Sequence, residues 1–238
     1  MQPLGTPCWL DMQTDLDRAV PFYAAVLGWE LVPVGEHRMA FAGGAPVALL
    51  SPSDSPGPWR VYLACQDIDL ICGRAQDLGA RVVLAGGRLG DLGRMASFQD
   101  PGGTLTMLWQ ADKHQGFQIR ASPGFPVWFE NWSADRARTR DFYAQLFGLQ
   151  AQPMPGMDYG TLHSPDGAPR FGVGQREEDG GPPAWMVYLH TPDCDAASAQ
   201  VSASEGTVSQ PPTDTPFGRI AVCADPLGAR FTLITPAG

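Results

Sequence analysis

The chain has 238 residues, 44% of them apolar and 10% aromatic, enough to build packed cores and too hydrophobic for a disordered chain. Its formal net charge is −9 with no basic cluster, which removes the counterion-release term behind nucleic-acid binding and opposes docking on anionic membranes. The start, MQPLGTPCWLDMQTD, has neither a basic segment nor a long apolar run, no stretch approaches the ~18 apolar residues of a membrane span, and Cys8, Cys65, Cys72, Cys194 and Cys223 form no CxxC pair, so a cytoplasmic location with buried thiols is expected.

The first element in chain order is a strand, CWLDMQT. Asp15 then stands as N-cap before LDRAVPFYAAVLGW, where Ala19, Phe22, Tyr23, Val26 and Leu27 fall at helical spacing and Gly28 occupies the left-handed C-cap. Pro21 costs this helix a hydrogen bond unless the helix starts late. Strands ELVPV, RMAFA and APVALL follow, and the Pro/Ser-rich stretch Pro52–Pro58 punctuates the chain. A second piece has the same outline: strand VYLACQ, helix DIDLICGRAQDLGA, then strands RVVLA, RMASFQ and TLTMLWQ.

Beyond Trp109 the composition turns polar, with Gly and Pro, and reads as a linker over 112–125. The chain then repeats itself at an offset of about 120 residues. Trp9 matches Trp128, Asp11 matches Glu130, Phe22-Tyr23 matches Phe142-Tyr143 and Gly28 matches Gly148, with one extra residue near Ala134. WRVYLACQDID (Trp59 onward) matches WMVYLHTPDCD (Trp185 onward), and GRMASFQDPGG (Gly93 onward) matches GRIAVCADPLG (Gly218 onward). Arg176–Pro183 punctuates the second half as Pro52–Pro58 does the first. The expected domains are 1–111 and 126–238, each of two similar pieces. Both Asp-Pro-x-Gly sequences, at Asp100 and Asp225, have the type I turn pattern and are expected to be structural. The pairs Gly93-Arg94 and Gly218-Arg219 are expected to set strand entry and a surface ion pair. No Ser/His/Asp order, phosphate-cradling loop or dinucleotide fingerprint is present.

The strand–helix–three-strand order, with Asp-x-x-x-Ala-x-x-Phe-Tyr before Gly, resembles the vicinal oxygen chelate superfamily, which includes glyoxalase I, bleomycin-resistance proteins and extradiol dioxygenases. The two-domain glyoxalase-like proteins are the nearest likeness, through Trp-x-[Asp/Glu] on the first strand, Gly-Arg-Met-Ala with Asp-Pro-x-Gly, and Leu-Trp-Gln before the linker. The resemblance implies an α+β fold of two tandem domains, each pairing two βαβββ modules into an incomplete barrel around a cavity. It also implies a divalent metal held by His, Glu or Gln on module strands. Counting from the helix caps and turns, those positions hold Trp9, Arg60 and Met107 in the first half and Trp128, Met186 and Thr232 in the second. This is not a hard-cation ligand set, so neither metal nor other cofactor is expected, and a metal-dependent glyoxalase or dioxygenase stands only as a second alternative.

Strand neighbours at i and i+2 share a face. If the counted positions face a cavity, Asp11, Tyr62 and Trp109 join them in the first half, and Glu130, Tyr188 and His190 in the second. The expected function is metal-independent binding of a flat or amphipathic small molecule by Trp9, Arg60, Tyr62, Met107, Trp109, Trp128, Met186, Tyr188, His190 and Thr232. Glu130, with no arginine at the matching position, and Asp11 are the candidates for acid–base catalysis if the chain is a lyase or isomerase. Against this stands a bland alternative, in which the aromatics fill a barrel and Asp11 pairs with Arg60 structurally. The sequence leaves dimerisation open.

Overall fold

In the computed structural model residues 2–177 and 181–237 are described; residues 178–180, inside the Arg176–Pro183 punctuation, lie outside the described residues. The first half contains β1 (Pro7–Thr14), α1 (Leu16–Leu27), β2 (Glu30–Val34), β3 (His37–Ala42), β4 (Ala45–Pro52), β5 (Arg60–Ala64), α2 (Ile68–Asp77), β6 (Arg81–Leu89), β7 (Gly93–Gln99) and β8 (Leu105–Ala111). The second half repeats the order with β9 (Pro126–Ser133), α3 (Arg136–Phe147), β10 (Gln150–Pro153), β11 (Tyr159–His163), β12 (Pro169–Gln175), β13 (Ala184–His190), α4 (Cys194–Ala203), β14 (Thr207–Thr215), β15 (Gly218–Ala224) and β16 (Arg230–Pro236).

Each half supplies one eight-stranded mixed sheet, in the orders β2-β3-β4-β1-β5-β8-β7-β6 and β10-β11-β12-β9-β13-β16-β15-β14. Antiparallel hairpins join β2–β3–β4, β6–β7–β8, β10–β11–β12 and β14–β15–β16, while β1–β4, β5–β8, β9–β12 and β13–β16 are parallel. Helix α1 begins where Asp15 accepts from the Asp17 amide and ends at Gly28, whose φ of 65° only glycine adopts without strain. It does not start late. Pro21 sits inside it on the exposed side and leaves one carbonyl of the preceding turn without its helical N–H donor.

The chain divides into two compact units, and each draws on both halves. One comprises Met1–Trp9, Arg60–Gly116 and Phe129–Trp185; the other comprises Leu10–Trp59, Phe117–Trp128 and Met186–Gly238. The first unit combines the second module of the first half with the first module of the second half, and α2 packs on α3. In the second unit α1 packs on α4.

The repeated turn joins the modules in both units. Asp100 accepts from the Gly102 and Thr104 amides of its own turn, then from Asn131 Nδ2 at 2.8 Å and the Tyr143 hydroxyl at 3.0 Å. Asp225 accepts from the Leu227 and Ala229 amides and from the Tyr23 hydroxyl at 3.0 Å. Burial pushes both tyrosine pKa values well up, so each hydroxyl stays a donor. Both Asp-Pro-x-Gly turns close with an i→i+3 backbone bond. The two Gly-Arg arginines make surface pairs, Arg94 with Asp69 and Arg219 with Asp195 and Asp214.

Candidate functional site

In the first unit, Tyr62 on β5 lies directly opposite Met107 on β8, and Trp109 follows two residues on. All three are buried. The Tyr62 and Trp109 rings meet edge-on at 6.4 Å. Trp109 fits because Gly93 has no side chain: a Cβ there would lie 2.7 Å from the indole. Arg60, half-buried, opens β5 two residues before Tyr62. Trp9 reaches this group through a residue outside the expected site. The His114 ring stands edge-on to Trp9 at 4.4 Å and to Trp109 at 5.7 Å.

Glu130 belongs to the same unit but to β9. It is 6% exposed, and its Oε2 accepts from Trp132 Nε1 at 3.0 Å. The two residues are i and i+2 on one strand, so they share a side. Their partners on β12 are glycines: Glu130 pairs with Gly172 and Trp132 with Gly174. A Cβ on Gly172 would come 2.1 Å from the Tyr159 hydroxyl, and one on Gly174 would come 2.8 Å from the Trp132 ring. The glycines are thus a floor on which two aromatic rings lie beside a buried carboxylate. In the first half the matching β4 residues are Leu49, opposite Asp11, and Ser51.

The second unit holds Asp11, Trp128, Met186, Tyr188, His190 and Thr232. Tyr188 on β13 pairs with Thr232 on β16, and His190 pairs with Ile234. Met186 precedes Tyr188 by two residues and is buried. Thr232 is fully buried, and its hydroxyl and His190 Nδ1 have no hydrogen-bond partner among the described residues. Burial lowers the His190 pKa, which favours neutral imidazole. Asp11, 6% exposed, lies opposite Leu49, while Trp128 is half-buried on β9. The expected residues therefore fall into local groups: an aromatic–thioether group around Met107, a carboxylate group around Glu130 and a Tyr188–Thr232 group.

Trp132, Tyr159, Gly172, Gly174 and His114 were missed from sequence. Trp132 could have been found by the same i, i+2 rule that selected Trp128 and Glu130. Gly172 and Gly174 carry a spacing-of-two signal, but only once they are placed on a strand. His114 has no such signal, because it lies in the linker and acts through a long-range contact.

The positions that the resemblance assigns to a metal, Trp9, Arg60, Met107, Trp128, Met186 and Thr232, carry indole, guanidinium, thioether and hydroxyl groups. No cluster of three or more His, Cys, Asp or Glu able to hold an ion occurs among the described residues. These donors do not fit a divalent metal. The five cysteines are buried, and burial pushes the Cys65 and Cys223 thiols up to about 12, away from nucleophilic thiolate chemistry. No helix among the described residues is long and apolar enough to cross a membrane.

A family model described as a glyoxalase-like domain matches residues 8–108 and again 127–234. “Putative glyoxylase CFP32” of Mycobacterium bovis is 34% identical over 250 residues, spanning 98% of this chain and 95% of that protein. “Anthracycline biosynthesis protein DnrV” of Streptomyces peucetius is 29% identical over 256 residues, spanning 97% and 93%. Among solved structures, the Mn(II)-bound glyoxalase of Novosphingobium aromaticivorans superposes with a TM-score of 0.70 at 17% identity, covering 98% of this chain and 82% of that one. The 2,3-dioxygenase LapB of Pseudomonas sp. KL28 gives 0.69 at 14%, covering 99% and 94%. At these identities the structural likeness shows the shared two-domain fold.

Proposed function

Because the chain belongs to the glyoxalase-like domain family, in the vicinal oxygen chelate fold, we propose that it is a metal-independent small-molecule binding protein of the glyoxalase and bleomycin-resistance type. Its two sequence repeats are 1–111 and 126–238, joined by 112–125, each contributing one module to each compact unit, and it works in the cytoplasm without nucleic-acid or membrane partners. The carrying observation is the Glu130 group: a buried carboxylate held by an indole N–H, walled by Trp132 and Tyr159, over two glycines. Aromatic walls with one fixed polar group suit a flat ligand carrying a hydrogen-bond donor. That two relatives are named for anthracycline biosynthesis supports a fused-ring ligand class. On the Tyr188 side, Thr232 and His190 offer polar atoms that a ligand can pair.

The test is a thermal-shift screen of planar aromatics that includes an anthracycline. A ligand present at a hundred times its Kd should add about 2.7 kcal/mol of stability. A Glu130→Gln variant should lose that gain while keeping its unliganded melting temperature within a few degrees. No stabilisation by any compound overturns the proposal.

A second reading, a lyase or isomerase with Glu130 or Asp11 as acid–base, is favoured by the burial of both carboxylates and by the glyoxylase name of one relative. Unchanged turnover of an identified substrate by Glu130→Gln and Asp11→Asn would sink it.

A further inference from the structure

Each unit packs one pair of helices, α3 with α2 in the first and α1 with α4 in the second. The pairs correspond residue by residue, because Gly148 ends α3 as Gly28 ends α1, and Asp67 caps α2 as Asp193 caps α4. In the first pair the contact is filled. Ile71 is 3% exposed, and Arg74 Nη2 donates to the Gln145 carbonyl at 2.9 Å. Gln145 lies in the last turn of α3, where carbonyls lack a helical N–H to accept from. The Arg74 guanidinium therefore caps that helix end and meets the negative pole of its dipole.

The second pair has lost these groups. Counted from the same caps, Ala25 stands for Gln145, Ala196 for Leu70, Ala197 for Ile71 and Gln200 for Arg74. All four line a cavity of about 370 Å³, a size within the roughly 300–1,000 Å³ of small-molecule sites. Gln200 does not replace the guanidinium, since its Nε2 donates to Ser204 Oγ of its own helix end at 3.0 Å. The last turn of α1 carries no basic residue. No lysine or arginine lines the cavity. Its ionisable lining residues are Asp193 and His190, and burial lowers the His190 pKa, which favours neutral imidazole. Alanines leave the room, and a helix C-terminus with one carboxylate sets a negative potential there. The matching place in the first unit shows which group suits that potential.

We propose that the α1–α4 cavity of the second unit binds a small alkylguanidinium compound, whose head group caps the end of α1 as Arg74 caps α3 and whose alkyl arm fills the space left by the alanines. This site belongs to the helices of the second unit and does not rest on the proposed function of the Glu130 group.

The test uses full-length, isotope-labelled protein, with n-propylguanidinium as the probe and n-propylurea, its neutral isostere, as the control. The backbone amide resonances of Gly28, Ala196 and Ala197 should move with saturation as the guanidinium is added. The urea should bind at least about tenfold more weakly, because it forms no charge-assisted bond. Gln200→Arg, at an exposed position, gives the chain its own guanidinium there and should abolish the response. Ala196→Leu, also exposed, restores the counterpart of Leu70 and should weaken it severalfold, and it decides the matter alone if Gln200→Arg does not fold. Resonances that stay fixed with propylguanidinium, that answer the urea equally, or that respond alike in the parent and the folded variants overturn the proposal.

Discussion

Asp100 is 3% exposed and accepts four hydrogen bonds, two from its own turn and two from β9 and α3. The Tyr143 hydroxyl also contacts Thr106 at 2.6 Å, and Thr106 accepts from Trp185 Nε1. Tyr143→Phe should therefore cost about 1–3 kcal/mol, since it leaves buried partners short of a bond, and a urea midpoint measures it. Burial raises the Asp100 pKa despite those bonds. The folded state then holds a proton that the unfolded state has released, between the unfolded pKa and the raised folded one. This contribution is fully present below the unfolded pKa and fades as pH rises through the folded value. Asp100→Asn removes it, so wild-type stability relative to the variant should fall as pH rises from 4 toward 7; a difference flat in pH contradicts this. Gly102 beside Asp100 has a different task. A Cβ there would sit 1.9 Å from Ser133 Oγ and 2.2 Å from Thr139 Oγ1, atoms that bond each other. In the other copy Leu227 takes the place of Gly102, Ala19 that of Thr139 and Thr14 that of Ser133, and the Thr14 hydroxyl has no hydrogen-bond partner among the described residues. Gly102→Ala should destabilise by about 1–3 kcal/mol through overpacking. Adding Ser133→Ala and Thr139→Ala should recover part of the loss in a thermal melt.

Strand β12 shows how far the elements were legible. The module order, the Asp15 cap and the Gly28 terminus follow from local chemistry and appear as expected. The Glu130 surroundings do not, because they arise from pairing between strands. Phe171-Gly172-Val173-Gly174 reads as a weak strand until β9 lies beside it, and then Gly172 pairs with Glu130 and Gly174 with Trp132. Similarly, the sequence pattern put Met107 and Tyr62 on one face, but a linker histidine stands edge-on to Trp9 beside it. Gly174→Ala tests the floor. Its Cβ would press on the Trp132 ring and lengthen the Nε1–Glu130 bond, because the strand ladder holds the backbone in place. The Trp132 indole N–H proton resonance, assigned by its loss in Trp132→Phe, should move upfield. An unmoved resonance means the ring does not depend on that glycine.

At the scale of the molecule, repetition and packing cut the chain differently. The repeat divides it near 112–125, and each half builds one sheet. The compact units each take one module from each half. Phe22-Tyr23 and Phe142-Tyr143 looked like ordinary core positions of their own helices. Tyr23 instead bonds the turn of the other half at Asp225, and Tyr143 bonds that at Asp100. No spacing rule within one half reveals a partner 202 residues away. Each half alone would expose an aspartate turn, a tyrosine and the helix faces that α1 shares with α4 and α2 with α3. The aromatic contacts of Tyr23 with Phe231 and of Phe98 with Phe142 would be lost as well. Apolar burial supplies most of the folding free energy at about 25 cal/mol per Å², and net stability is only about 5–15 kcal/mol, so losing the inter-half surface should exceed what one half can spare. Residues 1–116 and 117–238 expressed separately should show no cooperative thermal transition by near-ultraviolet circular dichroism. Mixed in equal amounts, they should regain one and elute together at the size of the intact chain. A lone half that melts cooperatively as a monomer would show that the two halves are structurally independent and that the Tyr–Asp bonds only join finished domains.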